Sequence, residues 1–572
     1  MNKWTPRVEV SGPIARGRAW FHNGFDAFYD VDTIAELPRG QNRASGLTTS
    51  NLTRVQVNLT PANILTASAL VNYVNRRRTG LSFLDPAETT TNLRQDLYMV
   101  TLKDQAYFGG GLLAEFGFAG TRTWIGQTPQ GSRTYQITPF GSRGNYYVDM
   151  DRHTAREQWT ANVYMPAISA GGSHQAQFGV DLERDAFHQA TERHPYEVLR
   201  TDMTLARFVT FAGNNFRRKE NFSGAHYVQD RWTIRDGLLI EGGLRTEWDQ
   251  IVRQLVWSPR VSFAYAPKWL RETKLAGGIG IFHDVLNLGS LTLHQDQVSY
   301  STFYSPAGTI GGVPVETAFL VNEHNLRVPR YRTISFSVER KLPFDLYGKA
   351  AFTHKTGSRG WMFINQPGIF DGELPDRSLY LLTNSRRDRY DAMELTVRRT
   401  FAGQFEWFAG YTRSSARSNA VVDYSIENPI FAPQAPGPFP WDAPNRFITW
   451  GWAPLPKRML PRALRFLSRE TNAAYLLEYH TGFPFGVVNE SGVMVGAPNS
   501  RRFPSYFNIN LHFERKFRFM HYLWAWRFGF NNITNSGNPN VVNNNVDSPT
   551  FLTYGRGQLR AFSVRLRLLG RR

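Results

Sequence analysis

No cysteine occurs among the 572 residues, which removes disulfides, thiolate metal sites and thiol nucleophiles, and suits a chain that passes through an oxidising space unpaired. Long hydrophobic runs are missing too. Apolar residues make up 41%, mean hydropathy is −0.40, and no run of about 18 apolar residues exists to form a membrane-spanning helix. The start, Met1-Asn-Lys-Trp-Thr-Pro6, lacks the apolar core of a secretory signal. Metal-ligand spacing is absent as well: His174, His188, His194 and the pair His283-Asp284 show no His-x-x-x-His pattern and read as loop or turn histidines. Gly277-Gly-Ile-Gly280 sits inside a strand pattern with no helix after it, so it is no dinucleotide fingerprint. With 13 histidines to choose from, a Ser-His-Asp set can be drawn anywhere and carries no information. The sequence offers no catalytic, metal or cofactor residues, and it is not read as an enzyme.

Aromatic residues are abundant, at 14% with 41 Phe, 24 Tyr and 15 Trp. That is heavy for a globular enzyme and natural for a barrel belted by aromatics at both lipid interfaces. The net charge of +19 is spread over hairpins, at Arg76-Arg-Arg78, Arg217-Arg-Lys219, Arg386-Arg387 and Arg501-Arg502. Scattering of this kind argues against a nucleic-acid surface. It reads as solvated loops, with anionic lipid headgroups or lipopolysaccharide phosphates as the alternative partners.

The patterning is period two. In the stretch from Tyr506 to Glu514, Phe507, Ile509, Leu511 and Phe513 share one face and Asn508, Asn510, His512 and Glu514 the other. After a short basic connection at Arg515 to Arg518, Trp524, Trp526, Phe528 and Phe530 alternate with Ala525, Arg527, Gly529 and Asn531. In the last stretch, Gln558 to Leu569, Phe562, Val564, Leu566 and Leu568 alternate with Ser563, Arg565 and Arg567. In a transmembrane barrel the apolar face meets lipid and the polar face a wet lumen.

Short and long connections alternate along the chain. Pro13 to Arg18, Lys103 to Gln105 and Arg235 to Gly237 are short. Gly120 to Arg152, Glu183 to Asn221, His283 to Arg330, Lys355 to Arg389 and Thr412 to Pro444 are long. A sandwich or propeller has no reason to keep that alternation. The fold class expected is all-β: one large transmembrane antiparallel β-barrel over residues 1–572, with short periplasmic turns and long extracellular loops. The first and last strands, at Arg7 and at Gln558 to Leu569, both run inward, so the count is odd, about twenty-one, where bacterial single-chain barrels are even. The expectation is that one strand is missing at the front, that the complete protein has about 22, and that the chain is N-terminally truncated, without its signal peptide.

Tyr227-Val-Gln-Asp-Arg-Trp232, followed by Gly242-Gly-Leu-Arg245, resembles the Y-x-Q-D-x-W and G-L-R-Y hairpin of TonB-dependent outer-membrane receptors. Ser258-Pro259-Arg260 with Gly277 to Phe282 looks like the next hairpin, Tyr390 to Arg399 a later strand, and Asn531-Asn-Ile-Thr-Asn535 the turn before the last loop. Within that family the likeness is to Oar-like receptors, which often carry a carboxypeptidase-regulatory-like domain. Tyr227, Gln229, Asp230, Trp232, Gly242, Arg245, Ser258, Pro259 and Arg260 are read as barrel architecture, with Trp232 in the interfacial belt. The resemblance implies uptake of a scarce bulky solute, with a plug blocking the lumen and the TonB-ExbB-ExbD system acting on it. Neither plug nor TonB box is found here, so the chain is expected to supply capture surface and wall alone. Tyr304, Trp361, Phe431 and Trp441, on long loops, are the candidate ligand contacts, and the solute is unknown. A non-transporting scaffold or adhesin that binds polysaccharide or lipopolysaccharide, and a passive porin, are the alternatives.

Overall fold

The computed structural model describes residues 3–571 except 368–369, 372–373, 376, 402–404, 456–460, 463–467, 469 and 558. Its strands form an antiparallel meander with the following staves: Arg7–Ala15, Ala19–Thr33, Arg43–Thr60, Asn63–Thr79, Thr91–Tyr107, Leu113–Pro129, Val148–Tyr164, Ser173–Arg193, Phe216–Arg235, Leu238–Asp249, Val256–Tyr265, Thr273–His283, Arg330–Leu342, Leu346–Pro367, Arg377–Phe401, Phe405–Ser418, Asn445–Pro454, Thr471–His480, Tyr506–Phe519, Tyr522–Asn531 and Ala561–Arg571. Each of these twenty-one staves pairs with the next in sequence. The first and last run in the same direction. Among the described residues they share no ladder, yet Arg7 and Arg565 repel each other across the seam, so the sheet curls round until its edges face.

Side-chain alternation does on the wall what the sequence pattern demands. Phe562, Val564, Leu566 and Leu568 are all more than half exposed, while on the other face Arg567 pairs with Glu514 (2.5 Å) and His512 meets Ser563 (3.1 Å). Backbone groups are satisfied stave to stave, which lets the outer face shed water for lipid. No helix among the described residues is long and apolar enough to cross a membrane.

Several stretches with loop composition are strand. Lys103–Gln105, expected to turn, continues the stave Thr91–Tyr107, and the chain reverses at Gly110 and Gly111, which take φ of 77° and 88°. Lys103 points inward and its ammonium meets Glu115 at 2.8 Å, a pairing that a wet lumen tolerates. Arg515–Arg518 likewise runs on to Phe519, and the reversal falls at Met520-His521. Much of the expected loops 120–152, 183–221 and 355–389 is stave rising above the apolar band, where polar residues cost nothing. Gln558, expected to open the last strand, lies outside the described residues, and that stave begins at Ala561.

Apart from alanines on the wall such as Ala114 and Ala525, the tightly buried apolar residues sit mainly above the barrel, in a layer built from the long loops. Tyr135–Thr138 pairs in parallel with Tyr196–Leu199, and this pairs antiparallel with Leu205–Ala212. Val298–Phe303 and Val315–Leu320 follow, and the last of these runs parallel to the start of the stave Arg377–Phe401. Tyr196, Val209, Leu291 and Tyr380 are fully buried here. Loops rooted far apart on the wall meet in this layer: Asn543 Nδ2 donates to Pro139 O (2.8 Å) and Tyr147 OH to Glu427 O (2.8 Å).

Candidate functional site

Two regions gather chemistry, the inner wall and the loop layer over the mouth. On the wall, alternation sorts the motif residues. Tyr227, Gln229, Arg245, Ser258 and Arg260 line an inward-facing recess of about 530 Å³ with Gln177. Asp230, Trp232, Gly242 and Pro259 belong to the opposite face by alternation. There Trp232 donates to Gly171 O (3.2 Å) and stacks on His174 (5.3 Å), while His174 Nδ1 contacts Asp230 (2.7 Å), beside a short turn.

Gly243, Gly278 and Gly280 are part of the recess lining, and beside it the Tyr227 ring is seated over a further glycine. Gly179 faces Tyr227 across the ladder, and a Cβ there would come within 2.1 Å of the tyrosine ring. The ring lies over the gap, its hydroxyl donating to Asn162 Oδ1 (2.8 Å) and accepting from Gln177 Nε2 (2.6 Å). Arg245 is fixed by Glu247 (2.6 Å) and Asp181 (3.2 Å), and Arg260 lies 4.5 Å over the Phe282 ring. Ser258 Oγ contacts His283 Nδ1 (2.9 Å). The result is a firm, polar, hydrogen-bonding wall. Among the described residues no group of three or more acidic or histidine side chains is placed to hold a metal.

In the loop layer the four candidate aromatics have different surroundings. The Phe431 ring packs on Phe303 (5.6 Å) and faces the buried Arg207 guanidinium. Tyr304 is half-buried and its carbonyl accepts from Arg200. Trp361 donates to Arg327 O (3.0 Å) and packs on the cluster around Leu291 and Leu382. Trp441 alone of the four is more than half exposed; it stacks on Phe439 (4.9 Å), which in turn carries Arg386 over its ring at 5.3 Å. The structure therefore brings Phe431 beside Phe303, the neighbour of Tyr304, and leaves Trp361 and Trp441 in separate places.

An ion cluster that the sequence did not announce pins this layer. The side chains of Arg193 and Asp296 are each 1% exposed and meet at 2.8 Å; Arg217 reaches the same carboxylate at 3.2 Å, and Glu427 closes on Arg193 from another loop. Burial works to raise the Glu427 carboxyl, but the Arg193 guanidinium together with hydrogen bonds from Ser425 and the backbone outweighs it and holds the group below its ordinary value. Burial lowers Arg217. The reading of Arg217-Arg-Lys219 as solvated loop is thus corrected: Arg217 is buried, Arg218 pairs with Glu220 (2.9 Å) and Lys219 with Glu323 (2.7 Å). Arg386 and Arg502 are also engaged, with Asp388 and Asp442. The acids lie 79 or more positions from Arg193 and Arg217 in sequence, and no local signal could have paired them.

Residues 253–502 match a family described as outer membrane beta barrel domain. No curated protein matches the chain. Among solved structures, the outer membrane transporter YddB from Escherichia coli superposes with a TM-score of 0.67 at 10% identity, over 99% of this chain and 75% of its own. The siderophore receptor PirA from Acinetobacter baumannii gives 0.66 at 11%, over 99% and 78%. The ferric enterobactin receptor from Pseudomonas aeruginosa gives 0.64 at 12%, over 99% and 78%. The chain is a β-barrel of the Gram-negative outer membrane.

Proposed function

We propose that this barrel is the wall and capture surface of a TonB-dependent receptor that takes up a scarce bulky solute, in the Oar-like group. The observation that carries the reading is the interlocked loop layer over the mouth: a passive pore needs an open path, whereas a receptor needs a structured outer face. In this reading a plug, with a further strand beside the seam, belongs to the complete protein, and the polar recess at Tyr227, Arg245 and Arg260 faces it. TonB-ExbB-ExbD acts through that plug, and the outer wall contacts lipid and lipopolysaccharide. The exposed Trp441, with the half-buried Phe439 and Arg386 beside it, forms the first candidate surface for the solute.

The test compares three strains: wild type, a deletion of this gene, and a strain without TonB. Depletion of compounds from the medium is followed by mass spectrometry. The expected outcome is at least one solute left behind by both mutants and consumed by wild type. If the deletion strain consumes everything that wild type does, the transport reading is lost and a scaffold or adhesin takes its place.

A further inference from the structure

On the outer wall, above the apolar band, the staves Leu113–Pro129, Val148–Tyr164, Ser173–Arg193 and Phe216–Arg235 carry an outward-facing ladder of opposite charges. Arg122 pairs with Glu157, Arg184 contacts Glu157 (3.6 Å) and Glu220 (2.9 Å), and Arg218 also holds Glu220 (2.9 Å). Their parity is that of Phe116, Phe178, Val180, Leu182, Phe222 and Val228, the exposed apolar residues of the same staves, so they point away from the lumen. A cavity of about 420 Å³ opens among them, walled by Tyr98, Trp124 and His153 as well as Arg122, Arg184 and Glu220.

Height places this cavity. On Ser173–Arg193 the strand from His174, beside the Trp232 girdle, to Arg184 spans about 33 Å, or about 25 Å of height at an ordinary barrel tilt. That matches the apolar band of an outer-membrane barrel, so the ladder stands at the headgroups of the outer leaflet.

The acids do not neutralise what the ladder shows outward. The side chains of Arg122, Arg184 and Arg218 are 55%, 52% and 60% exposed, against 21% for Glu157 and 35% for Glu220. The carboxylates sit against the wall and hold the guanidinium groups with donor edges free on the outer side. Beside them Tyr98 is 53% exposed, offering a ring face of the kind on which sugars stack. Below lie Phe118 and Trp159, with ring centroids 5.7 Å apart, for acyl chains.

We propose that this recess is a binding site for a phosphorylated glycolipid of the outer leaflet, phosphate on Arg122 and Arg184, sugar against Tyr98, and acyl chains down the wall. It deepens the reading that the barrel's outer wall meets outer-leaflet lipid, and does not depend on what the lumen transports.

Native mass spectrometry of the full chain, released from detergent with an acylated diphosphoryl glucosamine disaccharide, tests it. The comparators are the same lipid without phosphates, phosphatidylcholine, and inorganic phosphate as competitor. Wild type is expected to retain the phosphorylated lipid about tenfold better than the dephosphorylated one, and the double variant Arg122→Gln, Arg184→Gln to lose about that factor. Arg16→Gln, in an exposed periplasmic turn, keeps full binding. Should the double variant fail to fold by heat-shifted gel mobility, Tyr98→Ala leaves the ladder whole and is expected to lose about threefold of the retention, on the order of a stacking contact. Equal retention in wild type and a folded variant overturns the site, as does full displacement by millimolar inorganic phosphate, which would show a free-anion site. Flotation of all variants with vesicles reports membrane insertion separately, so failure of the wall reading is told apart from failure of this recess.

Discussion

Asp296 is shared by Arg193 and Arg217, both buried, so its removal leaves Arg217 without a carboxylate and Arg193 with Glu427 alone. Asp296→Asn is expected to cost the loop layer about 3–5 kcal/mol, seen as faster hydrogen exchange at 193–217 and 288–297 while the staves below stay protected. Glu427 adds a pH dependence. Its folded carboxyl lies below the ordinary value, so its contribution is full at and above about pH 5 and is lost as pH falls through the lowered folded value. Exchange in the segment around Glu427 should be steady from neutral pH down to about 5 and rise below that, and Glu427→Gln should flatten the profile. At this scale the sequence set Tyr227, Arg245 and Arg260 in neighbouring barrel strands, because period two is local. It could not show that Arg217 is an interior residue, because the carboxylate that permits its burial is on a different loop.

Strands were legible where apolar residues alternate and illegible where the wall rises out of the lipid. At Thr121, Thr123 and Gly126 on Leu113–Pro129, loop-like composition is the composition of a wetted stave, and a hydrophobicity criterion ends the strand too soon. The band itself gives a depth-dependent prediction. Val180, nearly half exposed at mid-height, should tolerate Leu, whereas Val180→Arg should cost about 2–4 kcal/mol in denaturant unfolding from lipid vesicles. Gly179 tests the inner face of the same stave. Gly179→Ala has to push the Tyr227 ring aside, breaking its hydrogen bonds to Asn162 and Gln177, and is expected to destabilise by about 1–3 kcal/mol. If Gly179→Ala unfolds like wild type, the tyrosine does not need that gap.

For the whole molecule, the class of fold and the number of staves followed from alternating connection lengths, since each stave must cross the same thickness before the chain can turn. The layer over the mouth did not follow, since its pairings join loops hundreds of positions apart, as Pro139 to Asn543 does. That layer makes a prediction about permeation. Reconstituted in a planar bilayer, the chain should conduct far less than a pore of its stave count with an open mouth, and excision of 419–444, which carries Glu427, should raise conductance severalfold. Unchanged conductance after excision would place the obstruction elsewhere.

The two edge staves that face each other at Arg7 and Arg565 point the same way. An epitope inserted just ahead of Arg7 is expected to meet antibody on intact cells, while one inserted just after Arg571 is expected to stay hidden until the envelope is breached.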